Sequence, residues 1–460
     1  METQFSLRQL DDPRLREAEE IIRRCVHCGL CTAVCSSYVV LGDERDSPRG
    51  RIYLIKNMFE GDAKATAEVR THVDRCLSCL SCMTTCPSGV DYMHLVDLAR
   101  THVEETGNRP LKDRVIRAVL AAVIPYPGRF RLALIGAKLA RPFRGLFARI
   151  GLKELAAMLD LAPKTPLRSG AYTGPRTVPA ASRRKRGRVA MLGGCAQRVL
   201  RPQINDATVR LLTGQGFDVV MPKGEGCCGS LVLHMGREAD AKTFARANID
   251  AWWPLIEAKE IEAIIINASG CGTTVKDYGH LFAHDPDYAH KARIVSAMAK
   301  DVTEFLHQAG VDAPVGWSDI KVAYHSACSM QHGQRVNDAP RTLLRQAGFA
   351  VAEIPEGHIC CGSAGTYNIL QSEIANQLKE RKASNIMSVR PDCVATGNIG
   401  CITQLEGALG VPILHTVELL DWAYGGPCPA EIAHLAGRTK SLQAEFSETF
   451  SAKKRLKEPA

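Results

Sequence analysis

Short apolar runs in the second half of the chain lead directly into cysteines. The runs RVAMLGG and KVAYHSA each end beside a cysteine, and IEAIIINASGC and CVATGNIGC do the same. Apolar runs of about four to eight residues are typical of buried strands. Between them, segments such as READAKTFARANIDAWWPLIEA and QSEIANQLKERKASNIMS predict helices. Strands that alternate with helices indicate a parallel sheet, and its carboxyl edge would gather the cysteines.

A short cysteine repeat marks the N-terminal part of the chain. The spacing C-x2-C-x2-C-x3-C begins at Cys25 and returns 51 residues later at Cys76. In this spacing three thiolates wrap one face of an iron–sulfur cubane, and the fourth reaches the other cluster. We therefore predict two [4Fe-4S] sites, formed by Cys25, Cys28, Cys31 and Cys86 and by Cys76, Cys79, Cys82 and Cys35.

Two details qualify this prediction. Pro87 follows the second run, whereas Ser36 stands after the first, although all eight ligands are present. A pair of zinc ribbons is the alternative, but zinc ribbons use two C-x2-C knuckles separated by a spacer.

A longer repeat carries pairs of adjacent cysteines. The sequence Cys-Cys-Gly-Ser occurs twice, 133 residues apart, and a single cysteine precedes each pair by 32 residues. Adjacent cysteines can present two thiolates to one metal centre, and the glycine permits a close approach of the backbone. The predicted ligands are Cys195, Cys227, Cys228 and Cys271 in the first module and Cys328, Cys360, Cys361 and Cys401 in the second. Buried, unligated cysteine is the alternative, and it is favoured only for Cys393 and Cys428, which lie outside the repeat.

These repeats predict an α+β multidomain protein. Because 40 residues separate the two N-terminal cysteine runs and DSPRGRIYLIKNMFEG predicts a helix there, we expect an α-helical ferredoxin domain. A basic helical connector would lead to two duplicated α/β Cys-Cys-Gly modules, followed by a C-terminal helix and tail. The predicted boundaries of these five parts are 1–105, 106–187, 188–310, 311–428 and 429–460.

Composition supports metal chemistry rather than disulfides. The chain has 18 cysteines in 460 residues, and its start, METQFSLRQLDDPRLREAEE, lacks the apolar core of a signal peptide. We therefore expect a cytoplasmic protein, and grouped cysteines in a reducing compartment usually indicate metal or redox chemistry.

Positive charge is concentrated in the connector. Residues 109–188 hold 19 Lys and Arg against 3 Asp and Glu, or +16, so the rest of the +9 chain sums to −7. The segment VIRAVLAAVIPYPGRFRLALIGAKLARPFRGLFARIG mixes apolar residues with regularly placed basic ones. One interpretation is an interfacial helix on anionic lipid at the inner face of the cytoplasmic membrane, and the other is a helical hairpin packed across both domains. Nucleic-acid binding is the weakest interpretation, since RRKRG has no interleaved aromatic residues.

Four histidines lie near cysteines in the sequence: His27, His234, His325 and His332. Each could tune a cluster by hydrogen bonding. A surface or packed histidine is the alternative for each, and we assign none of them an acid–base role.

Four segments resemble one known family, the iron–sulfur subunits of glycolate oxidase. They are CVHCGLCTAVCSSYVVLGDERDSPRGRIYLIKNMFEG, YHSACSMQHGQ, ICCGSAGTYNILQ and TGNIGCITQL. The wider family has two 4Fe-4S ferredoxin sites and two Cys-Cys-Gly domains. It includes lactate-utilisation proteins and the related iron–sulfur chains of anaerobic glycerol-3-phosphate dehydrogenase and of heterodisulfide reductase. The fuller family pattern ends each Cys-Cys-Gly module with C-x2-C. Ala268 and Asn398 stand where the first cysteine of that pair would be, so each module is one ligand short.

The resemblance implies an electron-transfer subunit of a glycolate (2-hydroxy-acid) dehydrogenase complex. A FAD-containing partner subunit would oxidise glycolate to glyoxylate, and this chain would pass the electrons singly toward membrane quinone. The sequence agrees, because it has neither a GxGxxG fingerprint nor a Walker loop, and hydride chemistry needs a flavin or nicotinamide. The alternatives are the iron–sulfur subunit of a lactate or glycerol-3-phosphate dehydrogenase, a disulfide reductase acting at a Cys-Cys-Gly cluster, and a zinc scaffold.

Overall fold

The computed structural model describes residues 1–149, 151–163 and 166–441. Within these ranges, no helix combines the length and the apolar character that a membrane span requires. Part of the predicted C-terminal helix and tail, residues 442–460, lies outside the described residues. The residues just before it form a 3₁₀ helix, Ala430–Arg438, and a short strand.

The N-terminal part is a bundle of helices. Asp12 and Ser47 cap two helices whose first residue is proline. Proline is favoured at this position because a backbone N–H there would have no partner within the helix. Ile22, Ile55 and Leu95 are fully buried where three of the helices meet. The helices are α1 (Leu7–Leu10), α2 (Pro13–Arg23), α3 (Ser36–Leu41), α4 (Pro48–Glu60), α5 (Ala67–Asp74), α6 (Ser81–Thr85) and α7 (Tyr92–Thr106). The helix predicted between the cysteine runs is α4.

The connector is also helical. Its helices are α8 (Leu111–Val123), α9 (Pro127–Ala140), α10 (Arg144–Arg149) and α11 (Lys153–Leu161). Helix α9 has apolar residues on two sides. Phe130 and Leu134 line a large cavity, whereas Leu132 and Leu139 are 70% and 76% exposed.

The first α/β module contains a five-stranded sheet in the order β1-β3-β2-β4-β5. All neighbouring strands are parallel except β1, which pairs with β3 in the antiparallel direction. Its elements are β1 (Arg176–Val178), β2 (Gly187–Met191), α12 (Ala196–Leu200), α13 (Gln203–Gly214), β3 (Phe217–Met221), α14 (Ser230–Leu233), α15 (Glu238–Glu257), β4 (Ile264–Ile266), α16 (Ser269–Lys276), α17 (Tyr278–Leu281), α18 (Ala289–Met298), β5 (Ala299–Asp301) and α19 (Val302–Ala309).

The second module contains a four-stranded parallel sheet in the order β10-β9-β7-β8. A separate antiparallel pair joins β6 to β11. The elements are β6 (Gly316–Ser318), β7 (Lys321–Tyr324), α20 (Ala339–Gln346), β8 (Ala350–Ala352), α21 (Tyr367–Leu370), α22 (Ser372–Ser388), β9 (Cys393–Thr396), α23 (Ile399–Leu405), β10 (Ile413–His415), α24 (Thr416–Ala423) and β11 (Thr439–Ser441).

The two modules are copies of one unit and share a core. The order β3-β2-β4-β5 of the first matches β8-β7-β9-β10 of the second. Their contacts are reciprocal, since α13 packs on α24 and α19 packs on α20. One apolar cluster, which includes Val189, Ile265, Val322 and Leu420, runs through both sheets. The predicted duplication and parallel sheets are therefore confirmed. The short edge strand β1 could not be predicted, because it has three residues, of which two are exposed and only one is apolar.

Strands β2, β7, β4 and β9 correspond to the four apolar runs that precede cysteines in the sequence. Each ends four or five residues before its cysteine: β2 at Met191, β7 at Tyr324, β4 at Ile266 and β9 at Thr396. Because parallel strands end at the same edge of a sheet, each module presents its single cysteines together at one edge.

Candidate iron–sulfur sites

The first ferredoxin site is a cavity of about 30 Å³ among the N-terminal loops. The side chains of all four predicted ligands line it, namely Cys25, Cys28, Cys31 and Cys86. The structure thus brings the last cysteine of the second run to the first run. Burial raises the pKa of Cys31 to about 11, so binding of a metal there releases a proton.

The two cysteine runs also share their backbone conformation. His27 and Gly29 have φ of 56° and 80°, and the residues 51 positions later, Ser78 and Leu80, have φ of 49° and 62°. Residues other than glycine rarely adopt positive φ, and its recurrence at matching positions indicates that the ligand spacing imposes it.

The second ferredoxin site is a cavity of about 20 Å³ in the interior. Its four predicted ligands line it and are all buried: Cys35, Cys76, Cys79 and Cys82. Burial raises the pKa of Cys79 and of Cys82 far above the ordinary value for a thiol. Cys82 also borders the first cavity, so the two sites are neighbours.

A buried arginine lies beside the second site. The Arg51 guanidinium is 1% exposed and donates toward Cys35 Sγ at 3.9 Å. Asp46, which is fully buried, balances this charge at 3.3 Å and also accepts hydrogen bonds from His72 and Arg75. A positive charge at this position stabilises thiolates and the reduced state of a cluster. No pattern in the sequence indicates that Arg51 is buried.

Ser36 connects the second ferredoxin site to the second module. Its hydroxyl accepts a hydrogen bond from the backbone N–H of Cys360 at 3.0 Å and lies 4.0 Å from Cys79 Sγ. Cys79 and Cys360 also belong to one apolar cluster. Proline, which occupies the equivalent position in the second run, has no hydroxyl to form this link.

In each Cys-Cys-Gly module the four predicted ligands form a continuous chain of thiols. In the second module, Cys328 Sγ is 3.7 Å from Cys360 Sγ, and Cys361 Sγ is 3.4 Å from Cys401 Sγ. Contact with Cys360, together with burial, raises the pKa of Cys328 well above its ordinary value. These short S···S distances show that the four thiols converge on one place.

The first module has the same arrangement. Cys195 contacts Cys227, and Cys228 contacts Cys271. Gly229 and Gly362 both have φ of 88°, and a Cβ at these positions would lie 3.0 Å and 2.5 Å from a backbone oxygen of the neighbouring helix. Their N–H groups donate to the first cysteine of each pair at 3.4 Å.

The two modules differ around their thiols. At the departures from the family pattern, Asn398 donates to Cys401 Sγ at 3.6 Å, whereas Ala268 has no polar side-chain group to offer. Lys382 is buried in the second module and interacts electrostatically with Cys360 and Cys361. Ala241 packs on Gly229 as Ala375 packs on Gly362, so the two helices can be aligned on these alanines. In this alignment the neutral Asn248 of the first module corresponds to Lys382.

The histidines take different roles. His27 lines the first ferredoxin cavity, and His234 lies 4.0 Å from Asp97. His332 bonds to Thr84 across the boundary between domains. His325 is buried next to Cys361 and Cys401, which gives a partner to the tuning role that its sequence position suggests. Burial lowers the pKa of His325 to about 3, with Lys382 as a further cause, so its ring is neutral at pH 7.

The two cysteines outside the repeats lie elsewhere. Cys393 is buried in the core at the start of β9, and Cys428 donates to a neighbouring carbonyl oxygen. Neither lines any of the three cavities that contain the predicted ligands.

A cavity of about 510 Å³ lies between the two modules and beneath the connector. All eight Cys-Cys-Gly cysteines line one part of it. Connector residues, mostly apolar, line another part: Val119, Val123, Phe130, Ala133, Leu134, Ala137, Leu155 and Met158. Val119 is 49% exposed, so the cavity reaches the molecular surface.

The chemistry of the donors suits iron–sulfur clusters. Two neighbouring sets of four thiols occupy the ferredoxin part, and two further sets lie at the sheet edges. Thiolate is the preferred ligand of such clusters, and buried N–H and guanidinium donors tune their potentials.

Comparison with family models identifies two matches. A 4Fe-4S dicluster domain matches residues 21–90. A cysteine-rich domain matches twice, at 189–276 and 322–406, which correspond to the two modules.

The similar proteins fall into two groups, of which one matches most of this chain and the other about half of it. The glycolate oxidase iron-sulfur subunit of Escherichia coli (strain K12) is 41% identical over 92% of this chain and 99% of its own length. A probable glycolate oxidase iron-sulfur subunit of Bacillus subtilis (strain 168) is 30% identical over the same shares of both chains. Lactate utilization protein A of Bacillus licheniformis is 28% identical over 51% of this chain and 99% of its own length. A hypothetical protein from Helicobacter pylori, known from a crystal structure, has a similar fold with a TM-score of 0.50 and 10% identity, over 90% of this chain and 73% of that one.

Proposed function

Because this chain belongs to the family of glycolate oxidase iron–sulfur subunits, we propose that it relays electrons from a flavin-bearing partner subunit toward membrane quinone. In this proposal the partner oxidises glycolate to glyoxylate, a two-electron step, and this chain carries the electrons one at a time. The ferredoxin and Cys-Cys-Gly cysteines described above hold the clusters.

The link between Cys79 and Cys360 is the observation that carries the relay. Ser36 joins the two residues, and Cys79 is close enough to Cys328 for their thiols to interact electrostatically. The second ferredoxin site therefore adjoins the second module directly. Electrons that enter at the N-terminal sites have a continuous route of neighbouring cysteines into the Cys-Cys-Gly part.

The large cavity supports a quinone as acceptor. It combines predicted cluster ligands at one part with an apolar wall at another, and Val119, which lines it, is 49% exposed. A quinone needs a polar, electron-donating contact at its ring and an apolar environment for its tail. Reduction of one quinone to quinol would consume two electrons from the clusters and two protons from solvent.

The outer face of the connector supports peripheral association with a membrane. Leu132 and Leu139 are largely exposed on α9, and Arg131 and Lys138 lie next to them in the sequence. Apolar side chains flanked by cations favour the surface of anionic lipid. We expect the substitution Leu139→Asp to reduce co-sedimentation with anionic vesicles. The matched control is Leu7→Asp, which places the same charge at an exposed leucine of the N-terminal part.

The decisive experiment uses the complex from its own host. The tagged chain is purified anaerobically with its partners attached, and glycolate, D-lactate, L-lactate and glycerol 3-phosphate are added separately. The iron–sulfur absorbance is followed in each case. Bleaching by glycolate, with flavin in the preparation, is the expected result.

The other outcomes discriminate between functions. Bleaching by a lactate or by glycerol 3-phosphate would keep the relay and change its substrate. No bleaching by any substrate, with clusters and flavin present, would contradict the relay, and turnover of an added disulfide would then favour a disulfide reductase. Iron content gives an independent check, because about eight irons fill only the ferredoxin sites and about twelve to sixteen fill Cys-Cys-Gly sites also.

A further inference from the structure

His325 is a buried histidine, and one of its two ring nitrogens is unsatisfied among the residues that the structure describes. The residue is 2% exposed, and its Nε2 has no hydrogen-bond partner among the described residues. An unsatisfied polar group in the interior destabilises the folded state. A ring nitrogen of His325, Cys361 Sγ and Cys401 Sγ all lie within 4.8 Å of one another. The imidazole ring of His325 is therefore beside two predicted cluster ligands.

The first module shows what this position looks like without a histidine. The backbone N–H of His325 donates to Ala395 O, and the N–H of Leu192 donates to Ile265 O in the same way. Both residues thus extend the strand before the site by one ladder bond, and both are buried. Leu192 packs in an apolar cluster, whereas His325 brings a nitrogen to the thiols.

We propose that the imidazole of His325 is an iron ligand of the cluster held by the second module, whereas the first module has no such ligand. The nitrogen supplies a donor in a module that is one cysteine short of the fuller family pattern. A neutral imidazole adds no negative charge to a cluster, unlike a thiolate, and histidine ligation raises the reduction potential of iron–sulfur centres. The buried Lys382 acts in the same direction, so the second module is the more oxidising of the two.

This inference rests on the proposal that the second-module cysteines hold a cluster, and it gives the electron route a direction. The second module adjoins the ferredoxin part through Ser36 and Cys360. A cluster of higher potential at that place would draw electrons from the ferredoxin sites and keep them next to the large cavity.

The test uses the full-length chain purified anaerobically with its clusters. Histidine labelled with ¹⁵N is incorporated, and pulsed EPR is recorded on the second-module cluster in its paramagnetic state. We expect a histidine nitrogen with the strong coupling of a directly bound ligand. His325→Leu, which installs the residue of the first module, should abolish this coupling and lower the midpoint potential of that cluster. His325→Cys should retain the iron, lose the nitrogen coupling and also lower the potential.

His332→Leu is the matched control. His332 is a buried histidine of the same module that bonds to Thr84 and is not grouped with the thiols. The variant His332→Leu should leave the nitrogen coupling and the midpoint potential unchanged. Three results would overturn the proposal. The first is a parent spectrum that shows only the weak coupling of an N–H···S hydrogen bond. The others are a strong coupling that survives in His325→Cys and a midpoint potential that is unchanged in both His325 variants.

A separate variant distinguishes failure of the inference from failure of its premise. Cys361→Ser should lower the iron content by about four if the second module holds a [4Fe-4S] cluster. An iron content equal to that of the parent would show that the second module is empty, which would overturn the cluster assignment and the histidine ligand together. The glycolate experiment remains independent of both results.

Discussion

Ser36→Ala tests whether the junction between the ferredoxin part and the second module stabilises the fold. Ser36 is fully buried, and its hydroxyl is the acceptor for the backbone N–H of Cys360 at 3.0 Å. Alanine would leave that buried N–H without a partner, at a cost of about 1–3 kcal/mol. For a cooperative unit of about 150–250 residues, each kcal/mol lowers the melting temperature by about 2–4 °C. The expected decrease is therefore about 2–12 °C.

Ser36→Pro provides an internal comparison. Ser36 is the first residue of α3, where proline is favoured, and the preceding Cys35 has φ of −81° and ψ of 112°, which a following proline permits. Proline removes the same hydroxyl but also reduces the freedom of the unfolded chain, a gain of about 0.4–1 kcal/mol. Ser36→Pro should therefore be destabilised less than Ser36→Ala.

The assay is anaerobic thermal unfolding at a fixed scan rate, with iron content measured on the same samples. Ser388→Ala is the control, because Ser388 also forms a hydrogen bond with a backbone group through its hydroxyl but does so at the surface. Iron content should stay at the parent value in all three variants. A melting temperature of Ser36→Ala equal to that of Ser388→Ala would refute the reasoning, since it would mean that the Cys360 N–H does not depend on this hydroxyl.

Three further predictions concern glycine, histidine and cysteine positions. Gly362→Ala and Gly229→Ala should both lower the melting temperature and the iron content, because a side chain in the left-handed region costs about 1–2 kcal/mol. Both losses should be larger at Gly362, where the Cβ would lie closer to a backbone oxygen. Equal losses in the two variants would contradict this geometry. Burial lowers the pKa of His94, but hydrogen bonds to two aspartates outweigh it and raise this pKa to about 10. The contribution of His94 to stability is therefore complete below about pH 6.5 and is lost as the pH rises toward 10. His94→Gln should flatten the pH dependence of the unfolding free energy over that window, and an unchanged dependence would reject this role. Cys28→Ser should lower the iron content by about four while Cys393→Ser leaves it unchanged, and iron loss in the second variant would place Cys393 at a cluster.

The sequence was informative wherever the chemistry depends on local spacing. The C-x2-C-x2-C-x3-C runs, the Cys-Cys-Gly pairs and the apolar runs before them are properties of short segments. From them the two ferredoxin sites, the duplication and the parallel sheets could be predicted, because ligand spacing and strand periodicity act over a few residues. The grouping of Cys86 with the first run also followed from the spacing, and the structure brings it to that cavity.

Contacts between distant segments could not be predicted in this way. Ser36 and Cys360 are 324 residues apart, and nothing in either local sequence indicates that they are bonded. The burial of Arg51 beside Cys35 depends on how α4 packs against its neighbours. Such contacts are set by the packing of whole elements, whose positions follow from the total apolar surface that each one buries rather than from any short motif.

The difference between the two modules shows the same division. The sequence determined that they are copies, because their cysteine spacing is the same. Only the tertiary structure decided that one of them adjoins the ferredoxin part, and that His325 of this module faces the thiols at the position where the other module has Leu192. A strand residue can point to either face of its sheet, and which face adjoins a ligand is decided by the elements that pack around it.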